Sequence, residues 1–164
     1  QLAGTTLDFN VSANVYYEQA EFEKAKNALE GIISDVKSKV QNNDCKYEDL
    51  VLLSNILVIY GNCCEKTGNI DGAIYYHTIN YNFQTSRRDE FVKLGMTDDI
   101  YLANYNSIGL LYESNNQKDK ALDIFVSVAN YYKKNKDNRW FLQLTSVGRC
   151  LENKSMSVDN YTLK

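Results

Sequence analysis

Residues Ser107-Ile108-Gly109-Leu110-Leu111-Tyr112, followed after a polar break by Lys120-Ala121-Leu122-Asp123-Ile124-Phe125, decide the fold. Tyr105, Ile108, Leu111 and Tyr112 recur at spacings of three and four, which is the stripe of a helix face and not the alternation of a strand. Ala121, Leu122, Phe125 and Val128 form a second such stripe. Between them Ser114-Asn115-Asn116-Gln117 is polar and suited to cap the second helix. The stretch therefore reads as two helices joined by a tight turn.

The same pattern lies twice upstream. Ala13, Gly61 and Gly109 stand 48 residues apart, and Ala25, Ala73 and Ala121 keep the same interval. So regular a repeat marks one supersecondary unit copied along the chain. Leu29 and Ile32 continue the second-helix stripe in the first copy, and Tyr76 and Ile79 in the second. In the second copy the turn is Thr67-Gly68-Asn69, where Gly68 can take the left-handed conformation that ends a helix and Asn69 can start the next. A mid-helix glycine costs about 1 kcal/mol relative to alanine, so Gly61 and Gly109 call for a packing reason. The expected reason is that Ala25, Ala73 and Ala121 face Ala13, Gly61 and Gly109 and bring the backbones together. Tyr16, Cys64 or Tyr112 then fills the space one turn on.

A fourth unit begins near Asn138, where Trp140, Leu144, Val147, Gly148 and Leu151 repeat the first-helix stripe. Residues 157–164 read as the start of an interrupted partner helix in a longer parent protein, and Gln1 as a cloning or processing boundary.

Composition narrows the function. The 164 residues contain 44% hydrophobic side chains, enough for a core, with no proline and 8 glycines, too few punctuators for an all-β chain. Lys plus Arg number 18 against 21 Asp plus Glu, without a basic run, which argues against nucleic acid as a partner. The apolar runs Val51–Leu53 and Ile56–Tyr60 fall far short of the roughly 20 residues of a membrane span. A soluble, cytoplasmic chain is expected. Cys45, Cys63, Cys64 and Cys150 form no C-x-x-C pair and His77 is the sole histidine, so no metal site is expected and the thiols read as small buried hydrophobes in a reducing compartment.

These residues resemble the tetratricopeptide repeat family, in which a small residue and an aromatic on one helix meet an alanine and a large apolar residue on its antiparallel partner. The best matches are Ser107–Tyr112 with Lys120–Phe125, and Tyr60-Gly61 with Gly68-Asn69-Ile70-Asp71-Gly72-Ala73. The resemblance implies an all-α fold, a right-handed superhelical array of antiparallel helix pairs over a single domain. Its units run over residues 7–47, 48–97, 98–136 and 137–164. The period of 48 exceeds the usual value of about 34. Extra helical turns, or longer connections such as Asn42 to Asp49 and Thr85 to Asp98, must absorb the difference. The lengthening is similar to that in bacterial peptide-sensing regulators and sensor proteins.

Catalytic motifs do not stand up. Gly61-Asn62-Cys63-Cys64-Glu65-Lys66-Thr67 misses the phosphate-binding loop by Glu65 in place of the second glycine, and it ends a helix where that loop opens one. Lys66 reads more simply as a cation near a helix C-terminus. Cys63 and Cys64 project in different directions on a helix, which disfavours a disulfide between them. One histidine and no serine elbow leave no triad, so neither an enzyme nor a cofactor is expected. Sequons at Asn10, Asn153 and Asn160 are chance matches in an Asn-rich chain, and core packing accounts for most of the 13 tyrosines.

In such arrays the first helices line the concave side, so their non-core residues become the binding surface. These are Asn10, Asn14, Tyr17 and Glu18 in the first copy, then Val58, Asn62, Glu65 and Lys66 in the second. The third copy adds Asn106, Leu110, Glu113 and Ser114, and the fourth helix Thr145 and Arg149. The family uses asparagine at the positions of Asn14 and Asn62 to hold a ligand's main chain, and the resemblance implies that use here. The basic clamp of chaperone-binding members is missing, with Asn10, Asn55 and Ile59 where cations would stand. The expected function is a protein- or peptide-binding module, the interaction or sensing part of a larger regulatory protein. The alternative is a structural scaffold or self-association domain with an empty groove.

Overall fold

The computed structural model describes residues 2–155, and the expected partner-helix start at 157–164 lies outside the described residues. The fold is all-α. In order, the helices are α1 (Leu2–Glu18), α2 (Phe22–Gln41), α3 (Leu50–Lys66), α4 (Ile70–Ser86), α5 (Arg88–Lys93), α6 (Asp98–Ser114), α7 (Lys118–Lys134) and α8 (Arg139–Ser155), with a 3-10 turn at Tyr47–Asp49. The chain forms two compact units that divide after Tyr101, within α6.

The 48-residue period is carried by the helices themselves. First helices α1, α3 and α6 start at Leu2, Leu50 and Asp98 and run 17 residues each. Second helices α2, α4 and α7 start at Phe22, Ile70 and Lys118. Helices of 17 and 20 residues take up much of the added repeat length. The span 85–98, expected as a longer connection, is mostly helical. There α4 continues to Ser86, Arg87 leaves the helical conformation, and α5 resumes at Arg88. Arg87 pairs with Glu90 and donates from Nη1 to Asn43 Oδ1 at 2.8 Å, which ties the α2–α3 connection to this break.

Each first helix ends in the same way. Ala20, Gly68 and Asn116, again 48 apart, have φ of +58°, +83° and +57°. The next residue's N–H reaches back to the carbonyl of Tyr16, Cys64 or Tyr112, at 2.9, 2.8 and 2.8 Å, the six-to-one bond of a Schellman motif. Asn69 also caps α4, its side chain accepting from the Gly72 N–H at 2.9 Å. The capping expected of the polar break before α7 does not form, because Gln117 makes no side-chain cap bond.

Packing adds a neighbour that the repeat did not point to. A Cβ on Gly61 would lie 3.0 Å from His77 Nε2, and one on Gly109 would lie 2.7 Å from Phe125 Cε1. The atoms nearest to the two glycine positions thus come from the large side chain one turn beyond the alanine. Ala25, Ala73 and Ala121 are nevertheless fully buried. In the first unit α3 lies antiparallel to α4, since Gly61 meets His77 while Ser54, two turns earlier, meets Gln84. Ser54 Oγ donates to Asn80 Oδ1 at 2.7 Å and accepts from Gln84 Nε2 at 3.1 Å, and all three side chains are buried. Tyr60 packs edge-on against Tyr76 and donates to Glu30 Oε2 on α2 at 2.6 Å. In the second unit Phe125 and Val128 of α7 are fully or almost fully buried, and Cys150 seats α8. The stripe expected along α8 is not itself a core face: Leu144 and Leu151 are exposed.

Candidate peptide-binding face

In the first unit α1 packs against α3 as well as against α2. This brings the polar positions of the two first helices onto neighbouring elements. Asn14 and Asn62 are both half-buried. Asn14 Nδ2 donates to the Asn10 carbonyl of its own helix at 2.7 Å, leaving its Oδ1 as an acceptor. The side-chain amide of Asn62, by contrast, makes no hydrogen bond among the described residues. Asn10 is buried, and its Oδ1 has no donor among the described residues.

Around the two amides stand an apolar component and a charged one. Val58 is half-buried on α3, and Tyr17 is half-buried on α1 with its ring edge-on to Phe22 at 5.3 Å. Burial pushes the Tyr17 phenol above its usual range, helped by Cys63 and Glu65, so it remains a neutral donor. Glu18, Glu65 and Lys66 are exposed. Lys66 borders an open depression of about 520 Å³ lined also by Phe22, Lys24 and Thr67.

The candidate residues of the second unit are differently engaged. Asn106 Oδ1 accepts from Gln143 Nε2 at 2.7 Å, and Glu113 accepts from Arg149 Nε and Nη2 at 3.0 and 3.1 Å. These bonds join α6 to α8. Leu110, at the position equivalent to Asn14 and Asn62, is exposed, as is Thr145. Ser114 Oγ turns back to its own helix, donating to the Leu111 carbonyl at 2.9 Å. Gln143 escaped the sequence reading because no repeat of 48 leads to it. Its one signal was a polar residue on an otherwise apolar helix start.

Chemically the first-unit face offers amides, a phenol and a mixed rim of charge, which is equipment for holding a chain. Burial pushes the Cys63 thiol up to about 11 and raises Cys64 also, so neither is a ready nucleophile. Burial lowers the basicity of His77, which packs over Gly61. Among the described residues no group of three His, Cys, Asp or Glu stands ready to hold a metal ion. No described helix is long and apolar enough to cross a membrane.

No family model matches the chain, and no curated protein matches it. Among solved structures, the crystal structure of MamA protein aligns over 99% of this chain and 100% of its own, at 14% identity and a TM-score of 0.34. That superposition is loose, so the assignment of an all-α fold of consecutive helix pairs rests on the helices described above.

Proposed function

We propose that this chain is a protein- or peptide-binding repeat module, the interaction or sensing part of a larger regulatory protein. In this reading an extended ligand lies along α1 and α3. The observation that carries it is Asn62, a half-buried amide with no hydrogen bond among the described residues, at the position Asn14 holds one repeat earlier. A half-buried amide is partly cut off from water, so a ligand's main-chain N–H and C=O are its natural complement. Asn14 Oδ1 supplies a second acceptor, and Val58 with the ring of Tyr17 supplies apolar contact. Two carboxylates, Glu18 and Glu65, against one cation, Lys66, favour a neutral or mildly basic ligand.

The test is capture from a peptide library by the chain beside an Asn14→Ala, Asn62→Ala double variant whose fold is checked by circular dichroism. Two net hydrogen bonds of about 0.5–1.5 kcal/mol each correspond to a loss of roughly tenfold or more in affinity. Peptides held equally well by both forms would refute this face as the binding site.

A further inference from the structure

One hairpin end differs in charge from its counterparts in the repeat. In the windows 37–51, 85–99 and 133–147, set 48 apart, the first holds three Lys or Arg against three Asp or Glu and the second three against four, whereas the third holds four against one. Those four, Lys133, Lys134, Lys136 and Arg139, run from the last turn of α7 across the connection to the start of α8, and all are exposed. A helix C-terminus accounts for cations at 133 and 134, but Lys136 and Arg139 lie beyond it. In a chain of net charge -3, this end is a local concentration of positive charge.

Its apolar side chains are equally out of pattern. Trp140, Phe141 and Leu142 follow directly, the last two 60% and 73% exposed. Phe141 matches Leu102, which is buried on α6, and so belongs to the face that helix pairs cover. Leu142 does not. Counted from Gly148 as from Gly61 and Gly109, its counterparts are Asn55 and Ala103, and both are exposed, Asn55 on a helix already packed against α1, α2 and α4. A leucine at a position that faces outward even in a covered repeat is not explained by the packing plan of the array.

Cations and rings are interleaved here. Lys133 Nζ stands 5.6 Å from the Trp140 ring centroid, and the Arg139 guanidinium 4.6 Å from that of Tyr132. Arg139 also pairs with Asp137, the one acid of the window, while Lys134 and Lys136 have no acidic partner among the described residues. We infer that the α7–α8 end of the second unit is a docking site for the surface of an anionic lipid bilayer. A bilayer presents negative headgroups and, about 5–10 Å beneath them, hydrocarbon, and this end presents long-stemmed cations around an outward leucine and a tryptophan. An acidic peptide would complement the charges alone. Such docking lies on the membrane and needs no spanning helix, and it is independent of Asn14 and Asn62.

The full chain is titrated with vesicles of phosphatidylcholine and phosphatidylserine, at a ratio of about two to one, and with vesicles of phosphatidylcholine alone. Trp140 is the single tryptophan, so its emission reports on this end. The expected result is a saturable blue shift on the anionic vesicles only, quenched by lipid brominated on its acyl chains. At about fivefold per lysine, the Lys134→Gln, Lys136→Gln double variant should bind more than tenfold more weakly. Leu142→Ser should weaken binding and reduce the bromolipid quenching, with circular dichroism unchanged in both variants because all three side chains are exposed. The inference is overturned by a missing shift on the anionic vesicles, by equal binding to both kinds of vesicle, or by binding that either variant leaves intact. Polyglutamate held as tightly as the anionic vesicles, without dependence on Leu142, would also overturn it, by assigning the patch to an acidic protein.

Discussion

Replacing Gly109 by alanine should destabilise the chain, although alanine is the better helix former. In an unobstructed helix interior the change gains about 1 kcal/mol. At Gly109 the new Cβ would stand 2.7 Å from Phe125 Cε1 and 3.0 Å from Ile124 Cγ2. Phe125 is fully buried, so its ring has no solvent side into which to swing. Overpacking of this kind costs about 1–3 kcal/mol, which leaves a net loss of about 1 kcal/mol. Gly31, inside α2, has nothing within 4 Å of its Cβ position. Gly31→Ala should therefore gain about 1 kcal/mol, and the two identical substitutions should separate by about 2 kcal/mol with opposite signs. Urea unfolding followed by circular dichroism at fixed m-value measures both. Trimming the ring with Phe125→Leu should relieve part of the Gly109→Ala cost, giving a coupling of about 1 kcal/mol in a double-mutant cycle. Equal gains at Gly109 and Gly31, or strictly additive behaviour with Phe125→Leu, would refute the reasoning.

Ser54→Ala should cost about 1–3 kcal/mol in the same unfolding assay, because it withdraws a partner from both Asn80 and Gln84 in a buried setting. Ala20→Gly should raise stability by about 1 kcal/mol, since alanine at φ +58° bears the left-handed penalty that glycine does not. With His77 held less basic in the fold than in the open chain, unfolding releases a group that binds protons more readily. Its contribution is complete above its unfolded pKa of about 6.5 and is lost as pH falls through the lowered folded value, and His77→Phe, which copies Phe125, should remove that slope from stability measured against pH.

The helices were legible in the sequence because their signal is local: stripes at spacings of three and four, and small residues at an interval of 48. The left-handed turn was legible only at Gly68. Ala20 and Asn116 adopt it too, forced by the same pair of back-bonds to the preceding helix, and no propensity announces an alanine there. What comes nearest to Gly61 and Gly109 depends on the rotation of one helix against another, which composition does not encode, and so His77 and Phe125 were not foreseen there. The extension of α4 into α5 was hidden by Ser86-Arg87-Arg88, a polar run that reads as loop until the bond from Arg87 to Asn43 is known. Among the surface positions, the equivalence of Asn14 and Asn62 came from the repeat alone. The engagement of Asn106 and Glu113 came from Gln143 and Arg149 on α8, outside the repeat of 48.

Three hairpins built on one plan raise a question of identity during folding, because α2, α4 and α7 present similar faces to similar first helices. The trio of Ser54, Asn80 and Gln84 answers it for one pair. In the first copy the positions equivalent to Asn80 and Gln84 are Ile32 and Val36, and in the third they are Val128 and Tyr132. Were α3 to close on one of those helices, Ser54 would be buried against a methyl group, and were α4 to close on α6, Asn80 would meet Leu102. On α1 the position of Ser54 is held by Thr6, also a hydroxyl, so the discrimination acts against α2, α6 and α7. The network thus acts as a keyed joint, spending little on the correct pairing and penalising α2 or α7 in place of α4 on α3, and α6 in place of α3 on α4.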